Sequence, residues 1–289
     1  MKVVMATSPG HGRPNEDFVG AVPGAVVLID GAGIPGSEAV CSHGTAWYAH
    51  TLGATLLGQL SRAPDTELVA ALGDAIDQVA GQHRHTCDLA SPISPQATVA
   101  VVRYDEERLD YLVLADVFVM LDSPASGPQV LTDPREVDAR NEVSTALDGL
   151  TAGTAEHERA MRAATAELRS RRNQPGGYWI AKDDPAAATQ AVTGSVPVGQ
   201  LDGTALLSNG ASRIVDPYGL VAWPTALDLM RAQGPDVIIR RVRAAEGDGR
   251  RTDDATVAFC DLRGSSQTAE DDRVDDVKAI EVDCWPDTC

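Results

Sequence analysis

A-T-V-A-V-V-R-Y-D-E-E-R-L-D-Y-L-V-L-A-D-V-F-V-M-L-D, residues 97–122, carries three strand-like runs back to back: 97–104, 109–115 and 117–122. β-Branched and apolar residues fill each run. The charged group Asp105, Glu106, Glu107 and Arg108 separates the first two, as a hairpin requires. Working outward, 25–30 (A-V-V-L-I-D) reads as a buried strand ending in an acid. Residues 2–6, 204–208 and 255–261 read as further strands. Helical texture lies between these blocks. Ser37–Leu60 reads as one long helix and Thr66–His83 as a second, and Pro185, Pro224 and Pro235 each sit where a helix opens. Residues 133–172 form a polar helical stretch divided by Gly149 and Gly153, with the texture of an insertion. Blocks of strands alternating with blocks of helices imply an α+β fold, not an alternating βαβ sheet.

The chain has 289 residues, enough for a sizeable core, and aromatics make up only 4% of it, so that core rests on Val, Leu, Ala and Ile. A formal charge of -18 argues against a surface that grips nucleic acid or an anionic membrane, and suits a protein that binds cations. No apolar run is long enough to span a bilayer, and the N-terminus lacks the pattern of a secretory signal. Five cysteines, an odd number spread from Cys41 to Cys289, do not make a disulfide framework, so a cytoplasmic setting is expected. Residues 1–264 read as one domain. Residues 265–289, where acids far outnumber bases, read as a flexible tail dispensable for folding.

The chemistry gathers at strand ends. Asp30-Gly31 closes one strand, Ser208-Asn209-Gly210 closes another, Asp253-Asp254 precedes the last, and Asp116 interrupts the run L-V-L-A-D-V-F-V-M-L. Asn15-Glu16-Asp17 follows a Gly-rich turn after the first strand. Carboxylates beside glycine are what hard divalent cations need: several oxygen ligands, with a backbone able to approach closely. Each alone is also a common turn sequence. Two further groups stand out. Cys41, His43 and Trp47 lie near the start of the first long helix, with His50 a heptad after His43, and a packed helix with a capping histidine is the expected arrangement. His83-x-His85-x-Cys87 alternates soft-metal ligands, but no fourth ligand is in sequence range for zinc.

Taken in order, G-R-P-N-E-D-F-V-G, V-V-L-I-D-G-A-G, S-P-Q-A-T-V-A-V-V, L-V-L-A-D-V-F-V-M-L, V-L-T-D, L-L-S-N-G and D-D-A-T-V-A-F resemble the successive motifs of the protein phosphatase 2C family, metal-dependent Ser/Thr phosphatases. The resemblance covers about residues 6–262. It implies a four-layer αββα sandwich of two packed antiparallel sheets flanked by helices. It also implies two ions, Mn²⁺ or Mg²⁺, and a phosphoprotein or phosphopeptide substrate.

By the same resemblance, Asp30 bridges both ions, Gly31 gives one of them a backbone carbonyl, and Asp253 binds the second, with Asp254 in support. Glu16 and Asp17 act on bound waters, Asp116 matches the ligand of a third, weaker ion, and Arg13 matches the phosphate-binding arginine, one residue closer to Asp17 than is usual. Asn209 stands where the family has an aspartate ligand of the second ion, so that site loses a charge. The histidine that often follows Asp-Gly is missing, a place His43 is a candidate to fill. Ala115-Asp116-Val117 replaces Gly-Asp-Ser. The departures leave two alternatives beside the active phosphatase. One is a pseudophosphatase serving as a binding module. The other is an enzyme adapted to a special peptide, suggested by the odd tail residues Cys284, Trp285 and Cys289.

Overall fold

The computed structural model describes residues 2–10, 12, 14–151, 153–247 and 252–263. Among these residues, ten strands form two five-stranded antiparallel sheets. The first, in the order β1-β10-β9-β6-β7, contains Lys2–Ser8 (β1), Phe118–Ser123 (β6), Gly127–Leu131 (β7), Gly203–Leu207 (β9) and Ala255–Asp261 (β10). The second, in the order β2-β3-β4-β5-β8, contains Phe18–Val22 (β2), Ala25–Gly31 (β3), Ala97–Tyr104 (β4), Arg108–Leu114 (β5) and Val192–Pro197 (β8). Helices Gly44–Arg62 (α1) and Leu68–His83 (α2) cover the second sheet. Trp223–Gln233 (α6) and Asp236–Glu246 (α7) cover the first. Arg135–Ser144 (α3) and Ala155–Ser170 (α4) form the polar excursion, and Asn209–Ser212 (α5) is a single turn after β9. This is the expected α+β sandwich in four layers.

The apolar runs are continuous because both faces of each central strand are covered. Along β3, Val27 and Ile29 enter the core beneath α1 and α2, while Val26 and Leu28 enter the core between the sheets. In β10, Val257 and Phe259 face α6 and α7, and Ala258 and Cys260 face the other sheet. Strand periodicity thus splits one run between two cores.

Two sequence expectations change here. The single helix over 37–60 is two pieces: a 3₁₀ turn at Ser37–Ala39 and α1 from Gly44. Gly36 (φ 90°) and Gly44 (φ 80°) hold left-handed conformations that end any helical continuation between them. Strands β2, β7 and β8 are additional. The runs at 109–115 and 117–122 part at Asp116, where the chain leaves the second sheet after Leu114 and enters the first at Phe118. Ala115 makes that crossing at φ 67°, a left-handed conformation uncommon outside glycine. The 265–289 tail lies outside the described residues. No helix among the described residues is long and apolar enough to cross a membrane.

Candidate active site

Strand ends from both sheets converge on one cleft of about 280 Å³, whose lining includes Glu16, Asp30, Asp116, Asn209 and Asp253. β3 delivers Asp30 at its last turn of pleat. The β5–β6 crossing delivers Asp116, α5 opens on Asn209, and the loop before β10 delivers Asp253. Asp17, 2% exposed, lies just before β2. The structure therefore brings Asp17, Asp30, Asp116, Asn209, Asp253 and Glu16 to one end of the sandwich. Arg13 lies outside the described residues.

Close backbone packing holds this end together. Asp254 is buried, and its two carboxylate oxygens accept from the Gly10 and Glu16 amides at 2.6 and 2.7 Å, clasping the N-terminal loop onto β10. A Cβ at Gly210 would lie 1.9 Å from the Asp254 carbonyl oxygen, so only glycine fits there. His50 Nε2 donates to the Asp17 carbonyl at 2.9 Å, giving that helix residue a supporting place under the site. The Gly31 carbonyl accepts from the Gly33 amide at 3.1 Å and keeps a lone pair for a further partner.

The electrostatics are those of crowded acids. Burial raises Asp30 well above the usual carboxylate range, and the charges of Asp17, Asp116 and Asp253 push the same way. Only the Asn209 amide, donating at 2.9 Å, lowers it. Asp17 is pushed to about 7, chiefly by burial, with Asp254 and Asp253 adding to it. The hydroxyls of Thr256 and Ser208 oppose that shift without reaching hydrogen-bond geometry, and neither carboxylate oxygen of Asp17 has a partner among the described residues. An unpartnered buried carboxylate is costly. A donor set of carboxylates, one carbonyl and one amide oxygen fits hard divalent cations, which would offset the charge of these crowded acids.

The sign of this strain is testable. Asp17 titrates near 3.8 when unfolded and near 7 when folded, so the metal-free protein loses stability as pH rises between those values and not below them. One such group contributes a slope of at most about 1.4 kcal/mol per pH unit. We expect Asp17→Asn to flatten the fall of unfolding free energy between pH 5 and 7 in chelator, measured by denaturant titration. An unchanged slope would contradict the burial of this charge.

Other residues reach the cleft that sequence reasoning did not place there. Arg140 and Glu136 come from α3, Arg172 from the end of the excursion, and Arg213 from just after α5. Arg213 donates to Asp253 at 2.6 Å, while Arg140 donates to Glu136 at 3.0 Å and approaches Asp116 at 3.5 Å. Glu136 is held at about 7 by burial and by Asp116, against the pull of Arg140 and Arg172. The stretch 133–172 is thus part of the rim, and of its terminal arginines Arg172 lines the cleft while Arg171 pairs with Glu142 and Glu167. The Asn209 side chain turns its NH₂ to Asp116 at 2.8 Å. His43 does not line the cleft, and its side chain makes no cap for α1.

The fold has known counterparts. A serine/threonine phosphatase from Staphylococcus aureus superposes with a TM-score of 0.58 at 14% identity, covering 90% of this chain and 94% of its own. The catalytic domain of the serine/threonine protein phosphatase PstP, crystallised in complex with two manganese ions, gives 0.53 at 15% identity and coverages of 90% and 97%. A PPM Ser-Thr phosphatase from Mycobacterium smegmatis in complex with cacodylate gives 0.53 at 20%, with 91% and 98% covered. At these identities the likeness is one of fold. No curated protein matches by sequence. The sequence profile of protein phosphatase 2C matches residues 9–232, most of the chain and every strand-end residue of the cleft except Asp253. Two antiparallel sheets under paired helices, acids gathered at one end of them, and that match together place the chain in the protein phosphatase 2C family.

Proposed function

We propose that this chain is a metal-dependent phosphoester hydrolase, a protein Ser/Thr phosphatase acting on phosphoproteins or phosphopeptides at the acidic cleft. The observation that carries the reading is Asp17: a buried carboxylate with both oxygens unpartnered, beside an Asp30 that also faces Asp116 and Asp253. Asp30, the Gly31 carbonyl and Asp253 would hold Mn²⁺ or Mg²⁺, with Asn209, Asp116 and Glu16 completing the shell. Ions bound there supply Lewis-acid stabilisation of phosphoryl oxygens and a water of lowered pKa.

The chain's own groups do the rest. Asp17 orients a water in the floor of the cleft and accepts its proton. The guanidinium groups of Arg140, Arg172 and Arg213 form a cationic rim at the acids. A planar guanidinium grips a phosphoryl group through two donors at once. The cytosol suits the three free cysteines among the described residues.

The pseudophosphatase reading has its own support. Asn209 turns its side-chain N–H donors onto Asp116, and Arg213 turns them onto Asp253, so the carboxylates matched to the third and the second ion already carry protein donors. The peptide-directed alternative rested on Cys284, Trp285 and Cys289, which lie outside the described residues. Titration of Mn²⁺ and Mg²⁺ by calorimetry, with turnover of an aryl phosphate and a phosphoserine peptide at saturation, separates the readings. We expect two ions and metal-dependent turnover that chelator abolishes. Binding of a single ion with no turnover of either substrate would favour the binding module.

A further inference from the structure

A second cluster of ligand-bearing side chains lies where α1 begins and α2 ends, sharing no residue with the acidic cleft. Cys41 and His43 occupy the break before α1. His83 is the last residue of α2, and Cys87 follows in the next turn. The short connection from Ala63 to Glu67 makes the two helices antiparallel neighbours, so the start of one meets the end of the other. A backbone hydrogen bond from Asp88 to the Val40 carbonyl, 2.9 Å, draws the two loops together.

Cys41 Sγ lies 3.1 Å from Cys87 Sγ, 3.6 Å from His83 Nδ1 and 3.8 Å from His43 Nδ1, and Cys87 Sγ lies 3.3 Å from His43 Nδ1. All four ligand atoms lie within 4.8 Å of one another. Tetrahedral zinc, with bonds of about 2.3 Å to sulfur and about 2.0–2.1 Å to nitrogen, sets its ligands roughly 3.3–3.8 Å apart. We propose that Cys41, His43, His83 and Cys87 form a structural Cys₂His₂ zinc site that fastens the loop leaving the acidic cleft to the end of α2.

The surroundings agree with that role. Cys41 and His83 are 2% and 1% exposed. His83 Nε2 is buried with no hydrogen-bond partner among the described residues, leaving the ring Nδ1, on the thiol side, as its polar contact. Trp47 packs beside both imidazoles, at 4.4 Å from the His43 ring and 5.0 Å from the His83 ring, with His83 buried and His43 exposed. Burial lowers His83, favouring the neutral ring a metal requires. Nitrogen and thiolate ligands select zinc over the oxygen-seeking ions of the cleft. His85, the middle member of the sequence pattern, is exposed and takes no part; its place is filled by Cys41 and His43 from the loop before α1. The segment between Gly31 and Cys41 links the sites: Ala32 and Gly33 line the acidic cleft, and Cys41 anchors the far end.

Metal analysis of the untagged full-length chain tests this independently of any phosphatase activity. We expect one zinc per chain that survives dialysis sufficient to remove manganese. The cobalt-substituted protein should show the intense visible bands of a tetrahedral centre and a thiolate-to-cobalt band in the near ultraviolet. Cys41→Ser/Cys87→Ser should lose both signals, while Asp30→Asn and Cys284→Ser/Cys289→Ser should keep them. Should the double variant fail to fold, a mercurial reagent added to wild-type protein should release the zinc as the reactive thiols are consumed. Protein without zinc whose cobalt form lacks the thiolate band overturns the proposal, as does retention of both signals in the folded double variant. A Cys41–Cys87 disulfide found by peptide mapping of protein kept from air likewise overturns it.

Discussion

Asp30→Asn is expected to abolish phosphoester turnover and, at the same time, to raise the thermal stability of the metal-free protein. Both effects follow from the position of Asp30 at the end of β3, where Asp17, Asp116 and Asp253 all bear on it. If it is the carboxylate shared by two ions, an amide there removes charge from both sites. The loss should exceed the roughly 10–100-fold typical of residues that only orient a ligand. Without metal the same carboxylate is a liability: burial and three neighbouring charges raise it well above its unfolded value. A group raised in this way subtracts stability once pH passes the unfolded value, near 3.8. The neutral amide keeps the shape and removes that cost, so melting in chelator at pH 7 should shift upward while turnover in Mn²⁺ vanishes. Retained turnover within severalfold of the parent would remove Asp30 from the catalytic centre. A fall in metal-free stability would show that the hydrogen bond from the Asn209 amide outweighs the repulsion.

The acids of the cleft were legible because their strands are. β3, β4 and β10 are apolar on both faces, so each run stands out, and its terminal polar residue marks the end of a layer where a cleft can form. The edge strands were less legible: β2, β7 and β8 bury only part of their surface, and V-T-G-S-V-P at 192–197 resembles a loop until β5 pairs with it. Ala- and Leu-rich composition hid the break between residues 39 and 44, because periodicity reports which face is apolar and not where a left-handed glycine stops the helix. The cationic rim was not legible for a different reason. Arg140, Arg172 and Arg213 come from helices and turns whose sequence spacing carries no strand-end signal: the folding of the excursion over the sheet end brings the first two to the acids, and the turn after α5 brings Arg213. Cys41 and Cys87 are likewise separated by 46 residues, and antiparallel packing of α1 and α2 is what joins them.

Asn209→Asp should act in the opposite sense to Asp30→Asn. Its backbone N–H bonds Asp30 and its side-chain NH₂ bonds Asp116, so the neutral residue now relieves two of the repelling acids through hydrogen bonds. A carboxylate keeps the first bond, which belongs to the backbone, and loses the second. A donor to a charged group is worth about 1.5–3 kcal/mol, and a new like charge sits where it was, so metal-free stability should fall by at least that order. With a divalent ion present the balance reverses. Unit charges about 4 Å apart interact by about 4 kcal/mol at the effective dielectric of a protein surface, and more for a dication. Even after the lost hydrogen bond and the added repulsion, Mn²⁺ affinity at the weaker site should rise by about tenfold or more, equivalent to about 1.4 kcal/mol. Calorimetric titration of parent and variant reads the affinity, melting in chelator reads the stability, and aryl phosphate turnover reads the consequence. A rise in affinity with faster turnover means that the amide weakens a working second site. A rise in affinity without turnover means that the guanidinium of Arg213 on Asp253 still blocks it, and Arg213→Ala in the same background should then restore the rate. If affinity does not change, Asn209 is a turn residue bonded to two acids, and the second cation, if there is one, is held by Asp30, Asp253 and the loop of Glu16 without it.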